Sequence, residues 1–220
     1  ALSIVFGFPA PIILALLLNE VHNEKFKRTV QTITYMPYFI SLVVMCSLIK
    51  IYCQENGLFS QIAEAFGGTR RNFMIDPSAF RPIYILSEIW QGIGWNSIIY
   101  LAALSGIDME QYEAARIDGA NRFQQVLHIT LPGILPTISI LFVLRMGGIL
   151  NVGYEKVLLL YTTNTYDVAD VFSTYTYRMG LENQKYSLST AVGLFNTVVN
   201  IFFLLLTNFV SRKTVQSGLF

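Results

Sequence analysis

Five long apolar stretches, at residues 2–18, 32–52, 82–104, 133–152 and 187–210, restrict this chain more than any other feature. A helix rises about 1.5 Å per residue, so roughly 20 residues cross a hydrocarbon core of about 30 Å. Each stretch reaches or approaches that length. Only 13% of the residues are charged and 53% are hydrophobic, whereas a soluble domain carries about a quarter charged residues. The membrane is therefore the expected solvent. The expectation is an all-α polytopic transmembrane helical bundle, one domain over 1–220 with five spans. The chain opens on Ala1 inside apolar sequence, with no basic segment or cleavage site of the signal-peptide kind. It is read as a fragment lacking at least one N-terminal span.

Prolines and glycines punctuate the spans: Pro9 and Pro11 in the first, Pro37 in the second, Pro136 and Gly147-Gly148 in the fourth. Residues 19–31 read as a short polar loop. Residues 54–81 read as a polar connection with a short interfacial helix at 58–66, and 153–186 as a connection holding an amphipathic helix near 168–179. A net charge of +1 argues against a nucleic-acid footprint, which needs a clustered basic face. Cys46 and Cys53 are too few for a metal site or a disulfide framework and read as isolated thiols. His22 and His128 fall in loops and read as solvated.

Between the third and fourth spans, residues 106–132 form a charged island. Asp108 can cap a helix beginning at Met109, with Gln111 placed to bond back to the cap. Glu110 and Glu113 then lie near the positive end of that helix, Ala114-Ala115 leaves one side without bulk, and Gly119 ends it in the left-handed conformation. Asn121 with Gln124 repeats the capping pattern, giving a second helix from Arg122 to Thr130 before Leu131-Pro132 turns the chain back into apolar sequence. A solvated helical hairpin between spans would show the same local chemistry.

The spacing is more specific than the capping. Glu113-Ala114-Ala115, then Gly119, Ile129 and Leu131-Pro132 resemble the signature loop of the membrane-spanning subunits of binding-protein-dependent ATP-binding cassette importers. The text Ile117-Asp118-Gly119-Ala120-Asn121-Arg122 and the run Trp90 to Trp95 resemble the branch that carries oligosaccharides and uronate-containing oligosaccharides. Met109 departs from the proline that opens this helix in many members, a position where proline suits but is not required. The resemblance implies a type I importer permease core in a bacterial cytoplasmic membrane, with the loop facing the cytoplasm. It implies as partners a second similar permease, an ATPase dimer carrying ATP and magnesium, an extracytoplasmic solute-binding protein, membrane lipid and an oligosaccharide. It also assigns Asp108, Glu113, Ala114, Ala115, Arg116 and Gly119 to ATPase coupling. Charge alone barely orients the chain: the loop side carries Lys25, Lys27, Arg28, Arg116, Arg122, Arg212 and Lys213 against Arg70, Arg71, Arg81, Lys156, Arg178 and Lys185.

The third span is unusually polar. Tyr84, Glu88, Gln91 and Trp95 recur at intervals of four, three and four, on one helical stripe with Asn96 at its edge. Such a stripe serves either as a polar seam between helices or as a route for substrate. Rings beside hydrogen-bonding groups suit a sugar; Arg145 and Asn151 are further candidates. Glu88 and Arg145 come out at similar depth in their spans, which predicts an ion pair in at least one state. No Gly-x4-Gly-Lys-Ser/Thr, His-Glu-x2-His or Gly-x-Ser-x-Gly sequence occurs. The spans also lack a histidine, which disfavours a membrane-embedded enzyme, while a secondary transporter or channel has no need of an ATPase-docking loop.

Overall fold

The computed structural model describes residues 2–215 and 218–219, and no strand occurs among them. Among the described residues twelve α-helices follow one another. They are α1 (Pro9–Glu20), α2 (Glu24–Tyr35), α3 (Leu42–Cys53), α4 (Leu58–Ala65), α5 (Pro77–Ser105), α6 (Met109–Ile117), α7 (Arg122–Gln125), α8 (Leu131–Met146), α9 (Tyr154–Leu160), α10 (Tyr166–Ala169), α11 (Phe172–Tyr177) and α12 (Tyr186–Val215). Among the described residues, Ser3–Glu20, Leu42–Ala65, Arg122–Met146 and Tyr186–Val215 are long and apolar enough to cross a membrane. The 29-residue helix α5 is long enough, but Ser87, Glu88, Gln91 and Asn96 dilute its apolar content.

Several boundaries differ from those read off the sequence, each for a local reason. Residues 19–31 are mostly helix: Asn23 Oδ1 accepts from the backbone N–H of Lys25 and Phe26 at 3.1 and 3.2 Å, which caps α2 and starts it at Glu24. The second apolar stretch is then not one helix, because a 3-10 turn at Met36–Phe39, containing Pro37, separates α2 from α3. Leu131-Pro132 does not turn the chain. A π turn over Val126–Thr130 runs from α7 directly into α8, and Leu131 N–H reaches back to Val126 O. Pro132 follows that turn inside a helix that continues from Arg122 to Met146, and the wider π bonding just before it accommodates the missing N–H. The same pairing of a π turn with proline opens the chain, at Ser3–Gly7 before Pro9.

The fourth stretch loses its helix after Met146, at Gly147-Gly148, six residues earlier than the apolar run suggests. The amphipathic helix expected near 168–179 is broken at Asp170-Val171, where Thr174 Oγ1 accepts from Val171 N–H at 3.0 Å and donates to Asp170 Oδ1 at 2.6 Å. Asp170 also pairs with Arg178 at 2.6 Å. The short helix expected at 58–66 is α4.

The described residues fall into two compact units. The first takes 1–38, 89–148 and 201–220. Its core is Ile12, Ala15, Tyr100, Leu104 and Ile134, with Phe8 set edge-on to Phe142 at 5.2 Å between centroids. Within it, the end of α2 lies hard against α5. A Cβ on Gly94 would collide with the Thr34 carbonyl and with the Tyr35 ring at 2.9 Å, so glycine is what permits the approach. The second unit takes 39–88 and 149–200. There α3, α4, α9 and α11 pack round Met45, Cys46, Cys53, Met74, Phe80, Tyr84, Val157 and Leu160. Both cysteines are buried and free.

Gly94→Ala is expected to lower the unfolding midpoint of the detergent-solubilised protein, costing about 1–3 kcal/mol of overpacking. Gly92→Ala is the control: its Cβ would meet only the Asn96 amide, at 3.1 Å, so its midpoint should match or slightly exceed the parent's.

Candidate functional site

The charged island folds as capped helices in the first unit. Asp108 accepts from Glu110 N–H at 3.0 Å and starts α6. Gly119 takes φ +79°, with open space where a Cβ would be, so its requirement for glycine is purely conformational. Asn121 and Gln124 form the reciprocal capping box, at 2.9 and 2.8 Å, that opens α7. α6 is tied to the π turn that follows α7 by a contact that the residue pattern did not suggest: Tyr112 Oη and the fully buried Thr130 Oγ1 lie 2.9 Å apart. Both residues looked like filler between recognised positions.

The outer face of this island is open. Glu113, Ala114 and Arg116 are exposed, and neither Glu113 nor Arg116 has an ion-pair partner among the described residues. The intrahelical Glu113–Arg116 contact that would give Glu113 a merely local role is therefore not made. Met109, Ile117 and Phe123 are 61%, 88% and 74% exposed, an apolar surface that calls for a cover. Behind Gly119, a cleft of about 300 Å³ opens between α6 and α7, with Ala115, Asp118, Gln124 and His128 on its walls.

The polar stripe of α5 is divided. Gln91, Trp95, Asn96 and Arg145 belong to the first unit; Tyr84, Glu88 and Asn151 belong to the second. In the first unit Trp95 stacks on Tyr38, with centroids 4.7 Å apart and planes 6° from parallel, and both rings remain about two-fifths exposed. Tyr38 was hidden from the sequence reading because it comes from the turn that breaks the second apolar stretch. In the second unit Tyr84 is 7% exposed and is a core residue, packed against Phe80.

Lys156 is the group that sequence reasoning missed. Counted among the charges of an outer connection, it is in fact 5% exposed. Its Nζ donates to Tyr84 O at 3.0 Å and lies 4.6 Å from the centre of the Tyr84 ring. Burial pushes its pKa down to about 8, against the opposing charges of Glu88 and Cys46. Glu88 thus has a cationic neighbour within its own unit, three residues beyond the helix break at 147–153. Only the helical phase of α9, which turns Lys156 inward with Val157 and Leu160, reveals this.

Residues 7–216 match the family described as "Binding-protein-dependent transport system inner membrane component". The chain belongs to that family. It is a permease subunit of an ATP-binding cassette importer and a component of the inner membrane, with ATP hydrolysis on a separate subunit. Among curated relatives, Protein LplB of Bacillus subtilis (strain 168) is 44% identical over 221 residues, covering 100% of this chain and 70% of that protein. The polygalacturonan/rhamnogalacturonan transport system permease protein YteP of the same organism is 43% identical, covering 100% and 69%. A solved bacterial alginate transporter in complex with an alginate pentasaccharide-bound periplasmic protein contains a chain 46% identical to the permease. It superimposes with a TM-score of 0.96 and covers 99% of this chain and 76% of that one.

Lys156 makes a pH-dependent prediction. Its folded pKa is depressed below the ordinary lysine value, so its penalty is fully present below about pH 8 and relieved as pH rises toward 10.5. Lys156→Met should raise stability by roughly 2 kcal/mol at pH 7, and the gain should shrink by pH 10. Unfolding midpoints of parent and variant in detergent at the two pH values check this; a pH-independent difference contradicts it.

Proposed function

We propose that this permease passes an acidic oligosaccharide across the cytoplasmic membrane, paired with a second, similar permease, two ATPase chains that bind ATP and magnesium, and an extracytoplasmic binding protein. Its α5 is taken as a further crossing beside the four apolar ones. Support for the substrate class comes from relatives named for transport of polygalacturonan/rhamnogalacturonan and of alginate. Within the first unit, Gln91, Trp95, Asn96 and Arg145 are the groups proposed to meet substrate; within the second, Glu88 and Asn151. Trp95, stiffened by Tyr38, offers a flat apolar face of the kind a pyranose stacks on.

The observation that carries the coupling assignment is the open face of α6. Glu113 stands exposed and unpaired, beside the small Ala114 and Ala115 and between the apolar Met109 and Ile117. An ATPase cleft that closes on this face takes the helix end-on, with a cation for Glu113 and apolar cover for Ile117. Arg116, on the same helix, and the Asp108 cap hold its charge pattern and aim. ATP-driven closure of the ATPases then moves α6 as a rigid body and exchanges inward for outward access.

In the assembled importer, Glu113→Ala is expected to reduce substrate-stimulated ATP hydrolysis at least tenfold while leaving the unfolding midpoint within error of the parent. A contact within one helix would contribute only about 0.2–0.5 kcal/mol. Gly119→Val forces a β-branched residue to positive φ at a cost of about 1–2 kcal/mol and mis-aims α6. Uptake should fall with this variant while the permease still folds. Parental ATPase stimulation and uptake in both variants would exclude the coupling role.

A further inference from the structure

In the second unit the backbone from Ile149 to Gly153 is not helical, and three asparagines gather there. Leu150 donates its backbone N–H to Asn200 Oδ1 at 3.2 Å. A backbone N–H can only donate, so the carbonyl end of Asn200 must face Leu150 and its amide end must face away. Asn200 Nδ2 accordingly donates to Oδ1 of Asn151 at 3.3 Å and to Oδ1 of Asn196 at 3.1 Å. Asn196 Nδ2 donates in turn to Asn151 Oδ1 at 3.1 Å. One backbone N–H thereby sets the orientation of all three side chains.

The consequence is a polarised cluster. Each carbonyl oxygen accepts within it, and both N–H groups of Asn200 are used. Both N–H groups of Asn151 and one of Asn196 are left over, with no acceptor among the described residues. Asn200 is buried, 8% exposed, whereas Asn196 is half-buried and Asn151 is exposed. Asn196 lies ten residues into α12, about 15 Å along a helix that is long and apolar enough to cross the membrane. Donors left bare at such a depth in hydrocarbon are costly, so they face water or a ligand that accepts.

We propose that Asn151 and Asn196 form a donor-only station, without a fixed charge, that selects the carboxylate of an acidic sugar during its passage. This rests on the sugar-import reading above. A carboxylate accepts from several N–H groups at once, and such charge-assisted bonds are about twice as strong as neutral ones. An uncharged station also holds an anion loosely enough to release it, which conduction requires. A neutral sugar ester keeps its shape and loses the advantage.

The test uses the complete importer in proteoliposomes, with trigalacturonate and its methyl ester as probes and the ratio of their uptake rates as the readout. The binding protein is the same throughout, so its own preference cancels between parent and variant. Asn151→Asp keeps the inward acceptor and replaces the outward amide by a carboxylate oxygen of nearly the same size. The acid-to-ester ratio is expected to fall about tenfold. Asn196→Ala, which removes a single outward N–H, is expected to lower it about threefold and serves if the aspartate variant does not assemble. A ratio within twofold of the parent's in whichever variant assembles overturns the station. So does a loss of co-purifying partner permease with an unchanged ratio, which would assign these donors to the subunit contact. If the parent itself takes up neither probe, the sugar-import reading fails and takes the station with it.

Discussion

Every peptide group that lies in hydrocarbon must find its hydrogen bond inside the protein, and this condition shapes the chain more than side-chain packing does. It explains why the described residues are helical without a strand, and why several departures from the helix are answered by a named group. Before Pro9 and before Pro132, each of which lacks an N–H, stands a π turn, at Ser3–Gly7 and at Val126–Thr130. Where Gly147-Gly148 ends α8, Leu150 N–H is met by the side chain of Asn200, fifty residues on. The breaks are supported irregularities, and the supports are polar residues within apolar sequence.

Those supports also mark where chemistry other than lipid contact is available. In the first unit, Gly94 lets the end of α2 approach α5, and Tyr38, from the turn after α2, lies flat on Trp95. In the second, the gap after α8 gathers Asn151, Asn196 and Asn200, and α9 turns Lys156 into the core against Tyr84. The charged island answers the opposite demand. It lies between apolar segments, yet its two short helices keep Glu113 unpaired and Ile117 and Phe123 uncovered, the open surface on which the coupling proposal rests.

The helical class, the capped island and the family were legible in the residues. Asp108, Gly119 and the Asn121–Gln124 box act where local chemistry places them, because a cap involves residues two or three positions apart. Reading failed where the deciding partner was distant in sequence or the signal ambiguous. Asn23 looked like loop because its neighbours are charged, and it starts a helix. Leu131-Pro132 looked like a turn, and a wider helical turn absorbs it. Tyr112 with Thr130 carries no local signature, since eighteen residues separate them.

By itself, the sequence determined the apolar lengths, the helix starts and stops inside the charged island, and the spacing that marks the family, all of which depend on near neighbours or on composition. Only the tertiary structure decided that Tyr84 is core, that Lys156 is buried, that Trp95 has Tyr38 for a partner and that three asparagines share one oriented hydrogen-bond network. The physical reason is directional. A one-dimensional pattern tells which residues are polar, whereas the free end of an amide is settled by the group that the other end must satisfy, and that group is a backbone N–H brought near by folding.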